Sequence, residues 1–167
     1  MNRIEALIQD PRYLEYMRQC ADRERDRVFC HHDHAHAVDT ARCAFILFLL
    51  RPAAYPELSA QETAAAQELL YAAAFLHDIG RFREYDDPAL DHAAESACLA
   101  EPLLRDHGFA AAEIALILRL IARHRDKSAQ GLDGLLRDAD KQSRPCLCCP
   151  ALKQCKKFQD KRPTLTI

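Results

Sequence analysis

The chain has no tryptophan, only two methionines and only four glycines in 167 residues. So little glycine argues against the turn-rich hairpins and bulges of small β-sandwiches and barrels. Phe, Tyr and Trp together make up 7% of the sequence and β-branched residues are few, which disfavours an extensive sheet. No apolar run reaches the roughly 18 residues that a membrane-spanning helix needs. The longest, residues 43–50, is expected to be a core helix. The opening Met-Asn-Arg-Ile-Glu-Ala-Leu is amphipathic and carries an acid, so it is not read as a secretory leader. The net charge of −2, with histidine neutral, provides no basic field for nucleic acid or an anionic membrane.

What the chain does have is alanine and leucine, which favour helices, and a length suited to one core. It also has eight cysteines. Without a leader, the cytoplasm is the expected compartment, and thiols there stay reduced. Cys20, Cys43 and Cys98 lie in helical patterns and are expected to be buried as small hydrophobes.

A short helix is expected over residues 2–9, ended by Asp10-Pro11, and a second from Pro11 to about Arg27 with Leu14, Met17 and Cys20 inward. A third runs from Asp33 to before Pro52, with Ala37, Ala41, Ala44, Ile46, Leu47 and Leu50 as its apolar stripe. Ser59-Ala-Gln-Glu62 reads as a capping box opening a fourth helix that ends at His77. Residues 83–91 read as a polar loop. Asp91 caps a helix through Asp106, which Pro102 should kink or split, and Gly108 ends it. Two more helices are expected, from Ala111 to about His124 and from Leu132 to Ser143. The fold class is therefore all-α, a helical bundle.

The pair His77-Asp78 closes the apolar run Ala-Ala-Phe-Leu and stands just before Gly80. A core helix has no packing reason to end on two costly polar groups, whereas a cation offsets their burial. Adjacent helical residues point about 100° apart, so the helix must end or distort for both to reach one ion. His32 and His36 are four apart, the spacing at which two imidazoles share a helical face. His92 and His124 lie near helix boundaries, and Asp140 lies beside the apolar stripe Leu132, Leu135, Leu136 and Ala139.

In this order of residues (His, His-Asp, His, His, Asp) the chain resembles the HD-domain metal-dependent phosphohydrolase superfamily over residues 27–144. His36 precedes Thr40-Ala41 as the family's first histidine precedes its Val-Ala pair. Leu-His-Asp-Ile-Gly-Arg carries the signature doublet, and Asp140 in Ala-Asp-Lys matches the closing aspartate. The resemblance implies that His36, His77, Asp78 and Asp140 hold one divalent metal. His92 and His124 would serve a second, as in two-metal members such as the symmetrical dinucleoside tetraphosphate hydrolases. His32 and His34 remain alternative ligands, with His36 preferred because Thr40-Ala41 continues the pattern. Residues 1–26 would be helices packed on this domain and residues 145–167 a cysteine-bearing tail, similar to an extension in an uncharacterised HD subgroup.

The chemistry that follows is hydrolysis of a nucleotide, dinucleotide or related phosphoester by a metal-activated water. Mn, Fe, Zn, Co and Mg all suit the ligand set. Asp78 would bridge the ions and orient the water. Arg81 and Lys141, next to the ligands, are the expected cations for phosphoryl oxygens, with Arg42, Arg123 and Arg125 less committed to the site. Phe82, Tyr85 and Phe109 are the candidates for stacking on a base. The expected partner is a small phosphorylated substrate, with no nucleic acid and no membrane, and a homodimer is left open. Two alternatives stay open: a di-iron oxygenase on the same ligands, and a non-catalytic metal- or nucleotide-binding module.

The tail reads Cys146-Leu-Cys148-Cys149-Pro-Ala-Leu-Lys-Gln-Cys155. Such clustering suits zinc or an iron–sulfur centre on Cys146, Cys149 and Cys155, with Cys148 as a fourth ligand. A reduced free tail and a disulfide stay open beside it. The basic run from Lys156 to Arg162 is expected to be solvated.

Overall fold

Alanine and leucine pervade residues 63–76, and in the computed structural model, which describes residues 2–158, this segment is the buried centre of the molecule. A helix apolar on every side must be covered on every side. The covering elements are the other helices, in chain order α1 (Asn2–Leu7), α2 (Pro11–Glu24), α3 (His34–Leu50), α4 (Pro56–Ser59), the central α5 (Thr63–Leu76), α6 (Arg81–Asp86), α7 (His92–Asp106), α8 (Ala111–Arg123) and α9 (Leu132–Gln142). Short 3-10 turns follow at Cys146–Cys148, Leu152–Gln154 and Lys156–Phe158. Among the described residues there is no strand. The bundle is all-α.

α5 lies between α3 and α8, with α9 bridging α3 and α8, and α7 lies along α8. Leu70, Leu76, Leu103, Leu104, Ile117, Leu120, Ile121 and Leu135 are fully buried where these helices meet. Each such side chain contributes about 1.5–3 kcal/mol of burial relative to exposure. Caps fix the helix starts nearest the site. Asp33 accepts from His36 N at 2.9 Å, and Asp91 accepts from Ala93 N at 3.3 Å.

Several local expectations need correction. Ser59 does not cap α5. It ends the separate turn α4 and its hydroxyl donates to the Pro52 carbonyl at 2.6 Å, while Glu62 stands at the N-cap of α5. Residues 83–91 are not all loop, because α6 extends to Asp86. It is a short helix anchored by buried Phe82, stacked on Tyr16, and by the ion pair of Arg23 with Asp86, so only one apolar residue signals it. Pro102 does not split α7; it lies on the exposed face, where water can take the Cys98 carbonyl that its ring leaves without a partner. Cys98 is itself exposed, unlike buried Cys20 and Cys43. Met17, Cys20, Ala37, Ala41, Cys43, Ala44 and Leu47 are buried as expected, but Leu14, Ile46 and Leu50 face solvent while Tyr13 and Phe48 turn inward, a small rotation of each stripe that sequence spacing alone leaves ambiguous. Lys161 and Arg162, and with them the end of the basic run, lie outside the described residues.

Candidate metal centre

α5 ends at Leu76, and the chain then turns tightly: Ile79 N lies 3.5 Å from Leu76 O and Arg81 N 3.0 Å from Asp78 O. The turn lets His77 and Asp78 face the same point. Gly80 permits it to lie against α7. A Cβ there would stand 2.4 Å from Ser96 N and 2.6 Å from the Glu95 carbonyl carbon, and Gly80 N donates to Ser96 Oγ at 2.9 Å.

The imidazoles around this turn share one design, with Nδ1 directed outward to an oxygen and Nε2 directed inward. His77 Nδ1 donates to Ala74 O and His124 Nδ1 to Ile121 O, each at 2.7 Å. His92 Nδ1 donates to Glu84 at 2.5 Å and His32 Nδ1 to Glu24 at 2.5 Å. His36 Nδ1 lies 3.4 Å from Ser143 Oγ, which itself donates to Asp140 O at 2.9 Å. Fixing the outer nitrogen fixes the tautomer, and the inner nitrogen is left with a lone pair.

Those lone pairs surround Asp78. Its Oδ2 is 3.1 Å from His77 Nε2 and 3.9 Å from both His36 Nε2 and His32 Nε2, while its Oδ1 is 3.2 Å from His92 Nε2 and 3.7 Å from His124 Nε2. Asp140 Oδ1 is 3.2 Å from His36 Nε2. Two donor sets result, His36–His77–Asp140 and Asp78–His92–His124, each with its ligand atoms within 4.8 Å of one another. The two oxygens of Asp78 thus serve different sets. Both His36 Nε2 and His77 Nε2 are buried with no hydrogen-bond partner. Orphaned buried nitrogens are rare and costly, and a divalent cation is the group that satisfies several lone pairs at once. The residues fit a metal.

The same contacts set the charges of the site. Burial disfavours the charge of Asp78, but His77, His92 and Arg81 hold its carboxyl well below the usual range. Asp140 is likewise held low against burial by His36, His77 and Arg144. Burial pushes His124 down to about 4, so it is neutral and ligand-competent near pH 7. Burial also opposes charge on His77, and Asp78 beside it outweighs burial and raises its pKa. Glu24 is brought to about 2, burial being overcome by hydrogen bonds from His32 and Tyr85.

A cavity of about 200 Å³ opens over the second donor set, and Arg81, Arg125, Lys127, Lys141 and Arg144 line it above Asp78 and Asp140. Arg81 Nη1 reaches into the site, 2.8 Å from His92 Nε2 and 3.1 Å from Asp78 Oδ1. Lys127 and Lys141 are exposed and have no ion-pair partner among the described residues.

The structure brings together His36, His77, Asp78, His92, His124 and Asp140, with Arg81 and Lys141 at their rim and His32 beside them. It does not bring in His34, which is exposed and lies 3.4 Å from Tyr13 Oη. Arg42 and Arg123 turn to exposed pairs with Asp39 and Asp126. Phe82 and Phe109 are buried away from the cavity, the latter beneath Arg3, and among the described residues no phenylalanine or tyrosine lines it. Cys146, Cys149 and Cys155 are half-buried free thiols and Cys148 is an exposed one. Among the described residues none joins a metal-compatible set.

Glu24, Glu84, Lys127, Ser143 and Arg144 are absent from the sequence-level site. Arg144, four residues after Asp140, was within reach of a helical-spacing argument. Glu24 and Glu84 act through histidines eight residues away, and no periodicity marks them.

A buried His/Asp centre inside an all-α bundle defines the class. Residues 35–148 match the model of the HD domain, and the chain belongs to that family. An uncharacterized protein of Clostridium beijerinckii is 29% identical over 162 residues, covering 97% of this chain and 96% of that protein. No solved structure matches the chain. The HD domain is characteristic of a metal-dependent hydrolase superfamily, and this chain carries a His/Asp group able to hold a metal. None of the described helices is long and apolar enough to cross a membrane.

Proposed function

We propose that the protein is a metal-dependent phosphohydrolase acting on a nucleotide, a dinucleotide or a related phosphoester. The observation that carries this reading is the pairing of a donor-rich floor with a cationic wall. Asp78 stands between two imidazole sets, and five basic side chains line the cavity directly above. His36, His77, Asp78 and Asp140 would hold one divalent ion, and Asp78, His92 and His124 a second. Such an ion lowers the pKa of coordinated water and polarises a phosphoryl oxygen.

The chain's own residues supply the rest. Arg81 and Lys141 line the cavity, where they would neutralise charge on the non-bridging oxygens of a phosphoryl group. Lys127 and Lys141, unpaired, are free to meet a phosphate, while Arg144 is engaged by Asp140. A cavity of about 200 Å³ is smaller than a typical ligand pocket of roughly 300–1,000 Å³. It suits the phosphate end of a substrate, leaving any base outside.

The test is release of inorganic phosphate from a panel of nucleotides, dinucleotides and simple phosphoesters, run with each of Mn, Fe, Zn, Co and Mg. Turnover is expected in the wild type and absent in His77→Ala and Asp140→Ala, with helical circular dichroism retained. Near-normal activity in either variant would overturn the assignment. Oxygen consumption that needs iron, with no phosphate released, would favour the oxygenase chemistry on the same ligands. The tail thiols form a separate proposal. Zinc or iron that survives His77→Ala but is lost in Cys146→Ser would place a soft metal on Cys146, Cys149 and Cys155.

A further inference from the structure

Residues 24 and 32 precede the stretch matched to the HD domain, yet they build directly onto its centre. Glu24, the last residue of α2, is 2% exposed. Its Oε2 accepts the backbone N–H of His32 at 2.7 Å and its Oε1 accepts the ring Nδ1–H at 2.5 Å. Tyr85 Oη also donates to Oε1, and Tyr85 in turn accepts from Arg81 Nε at 3.1 Å and Arg27 Nη1 at 3.2 Å. A buried carboxylate is costly to desolvate, and here every bond it accepts fixes one imidazole or the residues beside it.

The result is a histidine with one free nitrogen and one direction. With Nδ1 committed to Glu24, only Nε2 remains, and it lies 3.9 Å from Asp78 Oδ2. His36 Nε2 lies 3.9 Å from that same oxygen. The two rings meet edge to face with centroids 5.4 Å apart. His32 therefore stands toward Asp78 as His36 does, and it repeats the outward-Nδ1, inward-Nε2 design of His77, His92 and His124.

We propose that His32 is a further nitrogen donor to the metal centre, on the His36–His77 side of Asp78, and that Glu24 is the positioning residue that holds it there. This rests on the metal reading of the site. It extends the donor set beyond the HD domain, to a loop held by α2, so the N-terminal helices become part of the site's construction. The alternative role for the same contacts is a buried pair that merely ties the loop after α2 to the bundle.

Cobalt(II) uptake by the full-length, metal-stripped protein separates these roles, read as affinity by chelator competition and as visible absorption at saturation. The variants are His32→Gly, Glu24→Gln and, as reference, His77→Ala, each checked for helical circular dichroism. Glu24→Gln should weaken cobalt binding by about tenfold to a hundredfold, the range typical for partners of metal-bound histidines. His32→Gly should weaken it at least as much and change the absorption of the saturated protein. Added imidazole should restore both in His32→Gly and neither in Glu24→Gln. Should His32→Gly not fold, His32→Gln, whose amide can still reach Glu24, should show the same weakening and spectral change without rescue.

Wild-type affinity and an unchanged spectrum on loss of His32, with His77→Ala unable to bind, would overturn this inference and leave the metal reading intact. Weaker binding with an unchanged saturated spectrum and no imidazole rescue would also overturn it in favour of the structural role. A wild type that takes up no cobalt would sink both.

Discussion

Arg144 Nη2 lies 2.9 and 2.7 Å from the two carboxylate oxygens of Asp140. Arg144 Nε also reaches the Asp140 carbonyl at 3.2 Å, so one arginine fixes both the side chain and the end of α9. A carboxylate held this way presents its oxygen to His36 and the metal position in one orientation. Arg144→Ala should weaken metal binding by about tenfold to a hundredfold, by analogy with other supporting partners of metal ligands. Arg144→Lys should recover only part of the loss, because an ammonium lacks the planar fork. Chelator competition on the two variants measures this, and wild-type affinity in Arg144→Ala would remove Arg144 from the site.

Arg81 places a guanidinium among the donors of the second set, against His92 Nε2 and Asp78 Oδ1. In the first set the guanidinium of Arg144 pairs with Asp140 alone, and the two imidazole nitrogens are unpartnered. Metal titration should therefore show one tight equivalent and one weaker one. In Arg81→Ala the second equivalent should tighten while the proposed phosphate release falls, since the same side chain lines the cavity over the centre. Isothermal titration with manganese reads both affinities; a second equivalent that weakens or vanishes in Arg81→Ala contradicts the competition.

Gly80 is required by proximity rather than by backbone angle: its φ is −90°. Gly80→Ala would push a methyl group to 2.4 Å from Ser96 N, against backbone that cannot rotate away. The cost should be about 1–3 kcal/mol, as for other overpacked sites. Thermal melts of the metal-free protein read it directly. Metal affinity should fall too, because relief of the clash moves the doublet turn away from α7.

Far from the centre, Asp10 caps α2 through Arg12 N at 2.8 Å and also binds the Arg12 side chain and His107. The Arg12 hydrogen bond, ahead of opposing burial, lowers its pKa below the usual 3.8. A depressed carboxylate stabilises the fold above its unfolded pKa, and that stability is lost as pH falls through the folded one. The wild type should thus lose stability below about pH 4 more steeply than Asp10→Asn. At neutral pH, Asp10→Ala should cost about 1 kcal/mol as a lost cap. Denaturant melts at several pH values test both; parallel acid slopes would contradict the linkage.

The bundle was legible because its helices are long and alanine- and leucine-rich, and because Pro11, Asp33, Asp91 and Gly108 punctuate them. The gathering of six His and Asp side chains was legible because their order along the chain is a pattern in its own right. Short α6 was not, since its single buried Phe82 cannot establish a period. The rotation of α3 that exposes Ile46 and Leu50 was not, because a helix apolar on most sides leaves its inward direction to its neighbours. Glu24, Glu84 and Ser143 were invisible for a different reason. They serve the centre through hydrogen bonds to histidines, a relation that exists only once the chain is folded.

The central claim is that α3, the turn after α5, the start of α7, the end of α8 and α9 deliver their side chains to one metal centre of two adjoining donor sets, with Asp78 between them. The most direct measurement is the divalent metal content of protein purified without chelator or added metal, for the wild type and Asp78→Ala. The wild type should carry metal in stoichiometric amount, and Asp78→Ala, with its helical circular dichroism intact, should carry almost none. Equal metal in the two proteins would contradict the account.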